Sequence, residues 1–137
     1  MGCKASIDLE FGSDVEPRLV LKLLVDSGWS FNFCDEVFFL EATDLDAYDW
    51  KRCDSNAFDV DEFLGGHEKY GRIGIAMVFD GAIGGEFLIF SSGFSLSISI
   101  NKVRAVGDIP DFTLYISKLE RVVEQFRVSG VKCDFCI

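Results

Sequence analysis

The stretch IGIAMVFDGAIGGEFLIFSSGFSLSISIN, residues 73–101, decides the fold. Its last part is the clearest. Phe94, Leu96, Ile98 and Ile100 alternate with Ser95, Ser97, Ser99 and Asn101, the period-two signature of a strand with one packed face and one face of small polar groups. Just before it, Phe87-Leu88-Ile89-Phe90 is continuously apolar, which predicts a strand covered on both faces. Ile73 to Phe79 is nearly all apolar as well. Asp80-Gly81-Ala82-Ile83-Gly84-Gly85 and Ser91-Ser92-Gly93 carry the turn residues between these runs. Links this short join antiparallel neighbours, so the stretch reads as a three-strand meander.

Working outward, Ala5, Ile7, Leu9 and Phe11 alternate with polar residues and predict another strand. Ser13 or Asp14 can cap a following helix with Pro17 in its first turn; Leu19, Val20, Leu23 and Leu24 form its apolar stripe and Gly28 stops it. Trp29 to Leu40 reads as a second strand, most securely at Val37–Leu40. Asp108-Ile109-Pro110-Asp111 opens a last helix, in which Phe112, Tyr115, Ile116, Leu119, Val122, Val123 and Phe126 keep helical spacing without a gap up to Gly130. The expectation is an α+β fold: a single domain over residues 1–137, with a mainly antiparallel sheet of about five strands and two amphipathic helices packed on it.

Composition narrows the function. A chain of 137 residues that is 49% hydrophobic, with 14 phenylalanines and 2 prolines, can bury a sizeable core and is not a disordered segment. Its formal charge of −10 argues against direct binding to nucleic acid or an anionic membrane, both of which need Lys and Arg. No apolar run is long enough to span a bilayer and no signal-peptide core is evident, so the expected location is cytoplasmic. The five cysteines are an odd number, and Cys133-Asp134-Phe135-Cys136 lacks both the other two ligands of a zinc site and a helix behind it. These thiols are expected to be reduced, on a terminal strand or tail.

The charge is concentrated. Residues 35–68 hold Asp35, Glu36, Glu41, Asp44, Asp46, Asp49, Asp54, Asp59, Asp61, Glu62 and Glu68 against Lys51 and Arg52, a net of −9. Tyr48, Trp50, Phe58, Phe63 and Leu64 are mixed among them. One reading is a connection or short helices, charged outside and pinned by Phe58, Phe63 and Leu64. The other is an interface, because aromatics among acids combine anchors with steering charge. Metal chemistry is not supported: in Asp44-x-Asp46 the position of the calcium-loop glycine is Asp49 and that of the bidentate glutamate is Ser55. No cofactor is expected and no catalytic residue is assigned. His67, the only histidine, and nearby carboxylates would have to serve the alternative, a small-molecule-binding or enzymatic domain.

Asp49-Trp50, Gly84-Gly85-Glu86-Phe87-Leu88, Ser99-Ile100-Asn101-Lys102 and the aromatic-rich last helix, in a small acidic α+β chain, resemble bacterial immunity proteins of contact-dependent growth inhibition and polymorphic toxin systems. The resemblance implies a protein without catalysis of its own that binds one cognate toxin domain and blocks its active site. Many such toxins are nucleases with basic clefts. From the charge pattern, the expected partner-binding residues are Asp44, Asp46, Asp49, Trp50, Asp54, Asp59, Asp61 and Glu62.

Overall fold

The computed structural model describes residues 4–44 and 47–136, apart from the side chains of residues 68–70. The elements run β1 (Lys4–Phe11), α1 (Pro17–Asp26), β2 (Trp29–Ser30), β3 (Glu36–Phe39), β4 (Lys51–Asp54), a 3₁₀ turn (Ser55–Ala57), α2 (Val60–Tyr70), β5 (Arg72–Phe79), β6 (Ile83–Phe90), β7 (Gly93–Ile100), β8 (Arg104–Val106), β9 (Ile109–Pro110), α3 (Phe112–Ser117), α4 (Glu120–Gln125) and β10 (Val128–Cys136). The fold is α+β, and the meander of residues 73–101 is its centre. The sheet is larger than the expected five strands. Eight strands join in the order β10-β1-β7-β6-β5-β3-β4, with β2 also paired to β5, and β8–β9 form a separate hairpin. Every pairing is antiparallel.

Other expectations are corrected locally. Trp29 to Leu40 is two strands, because Asn32 Oδ1 accepts from the Asp35 N–H at 3.0 Å and Cys34 and Asp35 adopt left-handed backbone angles. The α1 N-cap is Glu16 rather than Ser13 or Asp14; it makes no side-chain capping bond, and Pro17 supplies the first helical position. The last helix is two short ones. Asp111 caps α3 by accepting from Leu114 N–H, Pro110 belongs to β9, and the chain breaks at Lys118–Leu119. At that break the Trp29 indole donates to the Lys118 carbonyl at 3.0 Å. The four helices among the described residues are all short, and α2 begins inside the acidic segment.

One sheet face carries the core. Ile7 and Leu9 of β1, Ile73, Ile75 and Met77 of β5, Phe87 and Ile89 of β6, and Phe94, Leu96 and Ile98 of β7 pack with Val20, Leu21 and Leu24 of α1 and Tyr115, Leu119 and Val122 from the α3–α4 segment. Trp29, 1% exposed, sits edge-on to Phe79 and Phe87 at ring separations of 5.5 and 5.1 Å. The other face is less covered than the apolar run of β6 predicts: Leu88 is half-buried and Phe90 is 38% exposed.

The Gly84-Gly85 pair has a geometric cause. A side chain at Gly84 would overlap the Met77 carbonyl oxygen, and one at Gly85 that of Ser97. Here β7 gains one residue on β6, since Gly85 pairs with Ile98 and Gly84 with Ile100. The extra residue, Ser99, makes a bulge.

Trp29→Ala removes the packed ring and the tie to Lys118 together. Urea unfolding is expected to show a loss of about 3–5 kcal/mol, as for other buried large-to-small aromatic changes. A loss below about 1 kcal/mol would mean that the surroundings collapse into the space and Trp29 does not anchor the helices.

Candidate functional site

The acidic segment is fastened at several points. Asp44 accepts through its carboxylate from the Tyr48 N–H at 3.0 Å and the Asp49 N–H at 2.7 Å. These bonds, led by the one to Asp49, hold its carboxyl below the ordinary value. Asp49 pairs with Lys51 at 2.7 Å, and that bond raises the lysine pKa. Buried Arg72 donates to the Asp44 carbonyl and lies 5.9 Å from the centre of the Tyr48 ring, tying the loop to the start of β5. Asp59 caps α2, accepting from Asp61 and Glu62 N–H at 3.1 Å, and Asp61 and Glu62 face the positive end of that helix. Beneath these acids, Phe58 meets Phe31, Phe39 and Phe63 at 5.7, 5.4 and 5.2 Å.

The expected partner-binding residues border different hollows. Asp59 and Glu62 border a hollow with Phe39, Cys53 and Phe63, whereas Asp61 borders a separate groove with Leu19, Lys22 and Phe31. Asp44 is half-buried, Asp49 and Asp54 are exposed, and Asp46 lies outside the described residues. Trp50 borders a third hollow, whose described lining includes none of the other expected residues.

His67 is buried, with Nδ1 at 2.8 Å from the Phe63 carbonyl oxygen and Nε2 at 3.1 Å from that of Leu40. Its ring meets the Phe63 ring at 4.1 Å, tilted by 52°. Among the described residues neither nitrogen bonds a carboxylate or a thiol, so the geometry favours a tie between α2 and the chain after β3 over a general base. Burial, helped by Arg72, holds the imidazole pKa below its ordinary 6.5 despite the two carbonyls.

The sheet face turned away from the helices contains a different kind of site. Phe33, Phe38, Trp50, Ala76, Glu86, Ser99 and Ile100 line a hollow of about 300 Å³. Ala76 pairs with Glu86 across β5–β6, and Glu86 with Ser97 across β6–β7, which sets Ala76 and Glu86 side by side as the floor. The β3–β4 register, Phe38 opposite Arg52, places Phe38 on one wall, and the chain entering β4 brings Trp50 beside it. The bulge lets consecutive residues Ser99 and Ile100 both border the space. The Glu86 side chain has no hydrogen bond or ion pair among the described residues, and burial alone raises its pKa. Arg52, on β4, is turned to Glu36 at 3.7 Å. Sequence reasoning missed Glu86 as a site residue. Its signal was a single acid inside the apolar run Gly85–Phe90.

Two pH effects follow, with opposite signs. The neutral form of His67 is favoured by folding, so its contribution is complete above 6.5 and is lost as pH falls toward the lower folded value. Melting temperature should therefore drop between about pH 7 and pH 5, and His67→Gln should flatten that part of the curve; an unchanged slope would mean other groups cause it. For Glu86 the neutral acid is favoured, so stability is complete below its ordinary 4.5 and is lost as pH rises through the raised folded value. Glu86→Gln should raise the melting temperature near pH 7 and leave it unchanged near pH 4, whereas an equal change at both would assign the effect to packing.

No family model, no curated protein and no solved structure matches this chain.

Proposed function

We propose that this protein is an immunity-type inhibitor that works in the cytoplasm, binding a cognate toxin domain through the acidic edge formed by β4, the 3₁₀ turn and α2. The observation that carries the reading is how those acids are held. Asp49, Asp54, Asp59, Asp61 and Glu62 are exposed, yet the backbone beneath them is fixed by the Phe58–Phe63 cluster and by Arg72. A fixed acidic surface loses little conformational freedom on association and attracts a basic cleft from a distance. The toxin domain is most readily a nuclease, because its substrate demands a basic cleft of that kind. Local duties account for part of the acidity, since Asp44 and Asp59 are backbone acceptors. Asp54 has no capping bond to the turn it precedes, which leaves its carboxylate open to a partner.

The test uses substitutions that leave Asp44 and Asp59 in place. With the toxin domain encoded by the neighbouring open reading frame, the triple variant Asp54→Asn, Asp61→Asn, Glu62→Gln should associate at least about tenfold more slowly at low salt. The difference should shrink as salt rises toward about 0.5 M. Equal association rates at every salt concentration would remove the acidic edge from the interface.

A further inference from the structure

We infer that the hollow lined by Phe33, Phe38, Trp50 and Glu86 on the open sheet face is a binding site for a methylated ammonium group. The inference is independent of the toxin reading, because none of the acids on the proposed interface borders this hollow.

The lining selects the ligand by exclusion. Among the described residues it contains no Lys, Arg or His, and its one charged group is a carboxylate, so an anion is disfavoured. Besides Glu86, its polar side chains among the described residues are Ser99 and the indole of Trp50, too few for a sugar or nucleotide. A neutral apolar ligand would cover Glu86 and leave its carboxylate without water or a partner, which is unfavourable. A cation answers that need. A bare ammonium carries three N–H donors that aromatic walls cannot satisfy, whereas methyl groups on the nitrogen spread the charge and fit the faces of Phe and Trp.

The hollow is open to receive such a group. Among the described residues, Phe33, Phe38 and Trp50 have no ring–ring contact with one another, and the Trp50 indole N–H has no protein acceptor. The floor at position 76 is an alanine, 8% exposed, where a larger side chain would fill the space. The volume of about 300 Å³ accommodates one such head group with part of its chain.

The chemistry occurs both on free quaternary ammonium compounds and on methylated lysine side chains, and the test separates the two. The full chain is titrated with choline, with its uncharged isostere 3,3-dimethyl-1-butanol, and with N-acetyl-trimethyllysine amide, followed by NMR shifts of residues around the hollow. Saturable binding of a charged probe is expected, at least about tenfold tighter than the neutral isostere. Glu86→Gln, which keeps the shape, should weaken charged-probe binding about tenfold, and Trp50→Leu should abolish it. Tighter binding of the lysine derivative points to a partner's side chain; tighter binding of choline points to a free metabolite. The inference is overturned if no charged probe saturates, if the neutral isostere binds as well, or if Glu86→Gln binds undiminished. Should Trp50→Leu fail to fold, the Glu86→Gln and isostere comparisons still decide the matter.

Discussion

A buried indole carries one N–H that cannot be left without an acceptor, and in this molecule that requirement organises the helical layer. Trp29 comes from a two-residue strand on the flank of β5, and its ring packs against Phe79 and Phe87. Its N–H reaches the carbonyl left free where α3 gives way to α4. Lys118, whose carbonyl is the acceptor, also sets its ammonium 5.1 Å from the Phe79 ring centre. Tyr115, on the preceding turn, is fully buried and accepts from the Val103 N–H at 3.0 Å. The helix pair is thereby tied to the sheet on one side and to the loop after β7 on the other. With the core face closed in this way, the opposite face is left to the meander and the strands beside it.

The sheet could be read in the sequence where side chains alternate against solvent. β1 and β7 obey the period of two because each has a polar face, and β5–β7 follow one another through turn residues. The rest was hidden for separate physical reasons. Asn32 closes a turn through its side chain, so the aromatic run 29–40 is cut without a glycine or proline to mark it. In α2 the glycines Gly65 and Gly66 weaken the helical signal, while Phe63, Leu64 and His67 turn inward. Asp59 followed by Asp61 and Glu62 was nevertheless a legible start signal. The break between α3 and α4 lies in an unbroken apolar pattern, because a distant tryptophan takes part in it. The sequence around Cys133 and Cys136 reads as a terminal strand or tail, whereas β10 begins at Val128 and pairs along the whole of β1.

The two proposed sites use charge in opposite ways. Along β4 and α2, carboxylates stand in water, so they act at a distance and their pull weakens as salt rises. Glu86 is half-buried among aromatics and is harder to ionise, a local cost that the fold carries without a stabilising return. Groups whose ionisation disfavours the folded state while serving a ligand are a familiar mark of functional sites. The acidic run is conspicuous in the sequence because of its density. Glu86 is inconspicuous there and depends on three strands and a bulge for its surroundings.

The pairing of β1 with β10 sets Lys4 beside Cys136, joining segments from opposite ends of the described chain. A ladder of this kind demands closure of the longest available loop before its first hydrogen bond forms. The central meander, by contrast, assembles from neighbours linked by a few residues. The topology predicts that β5, β6 and β7 nucleate locally, and that β1 and β10, whose pairings are long-range, join them later. Until β10 arrives, β1 presents unpaired amides and carbonyls along one flank, which makes this flank the vulnerable template for misassociation of the partly folded chain.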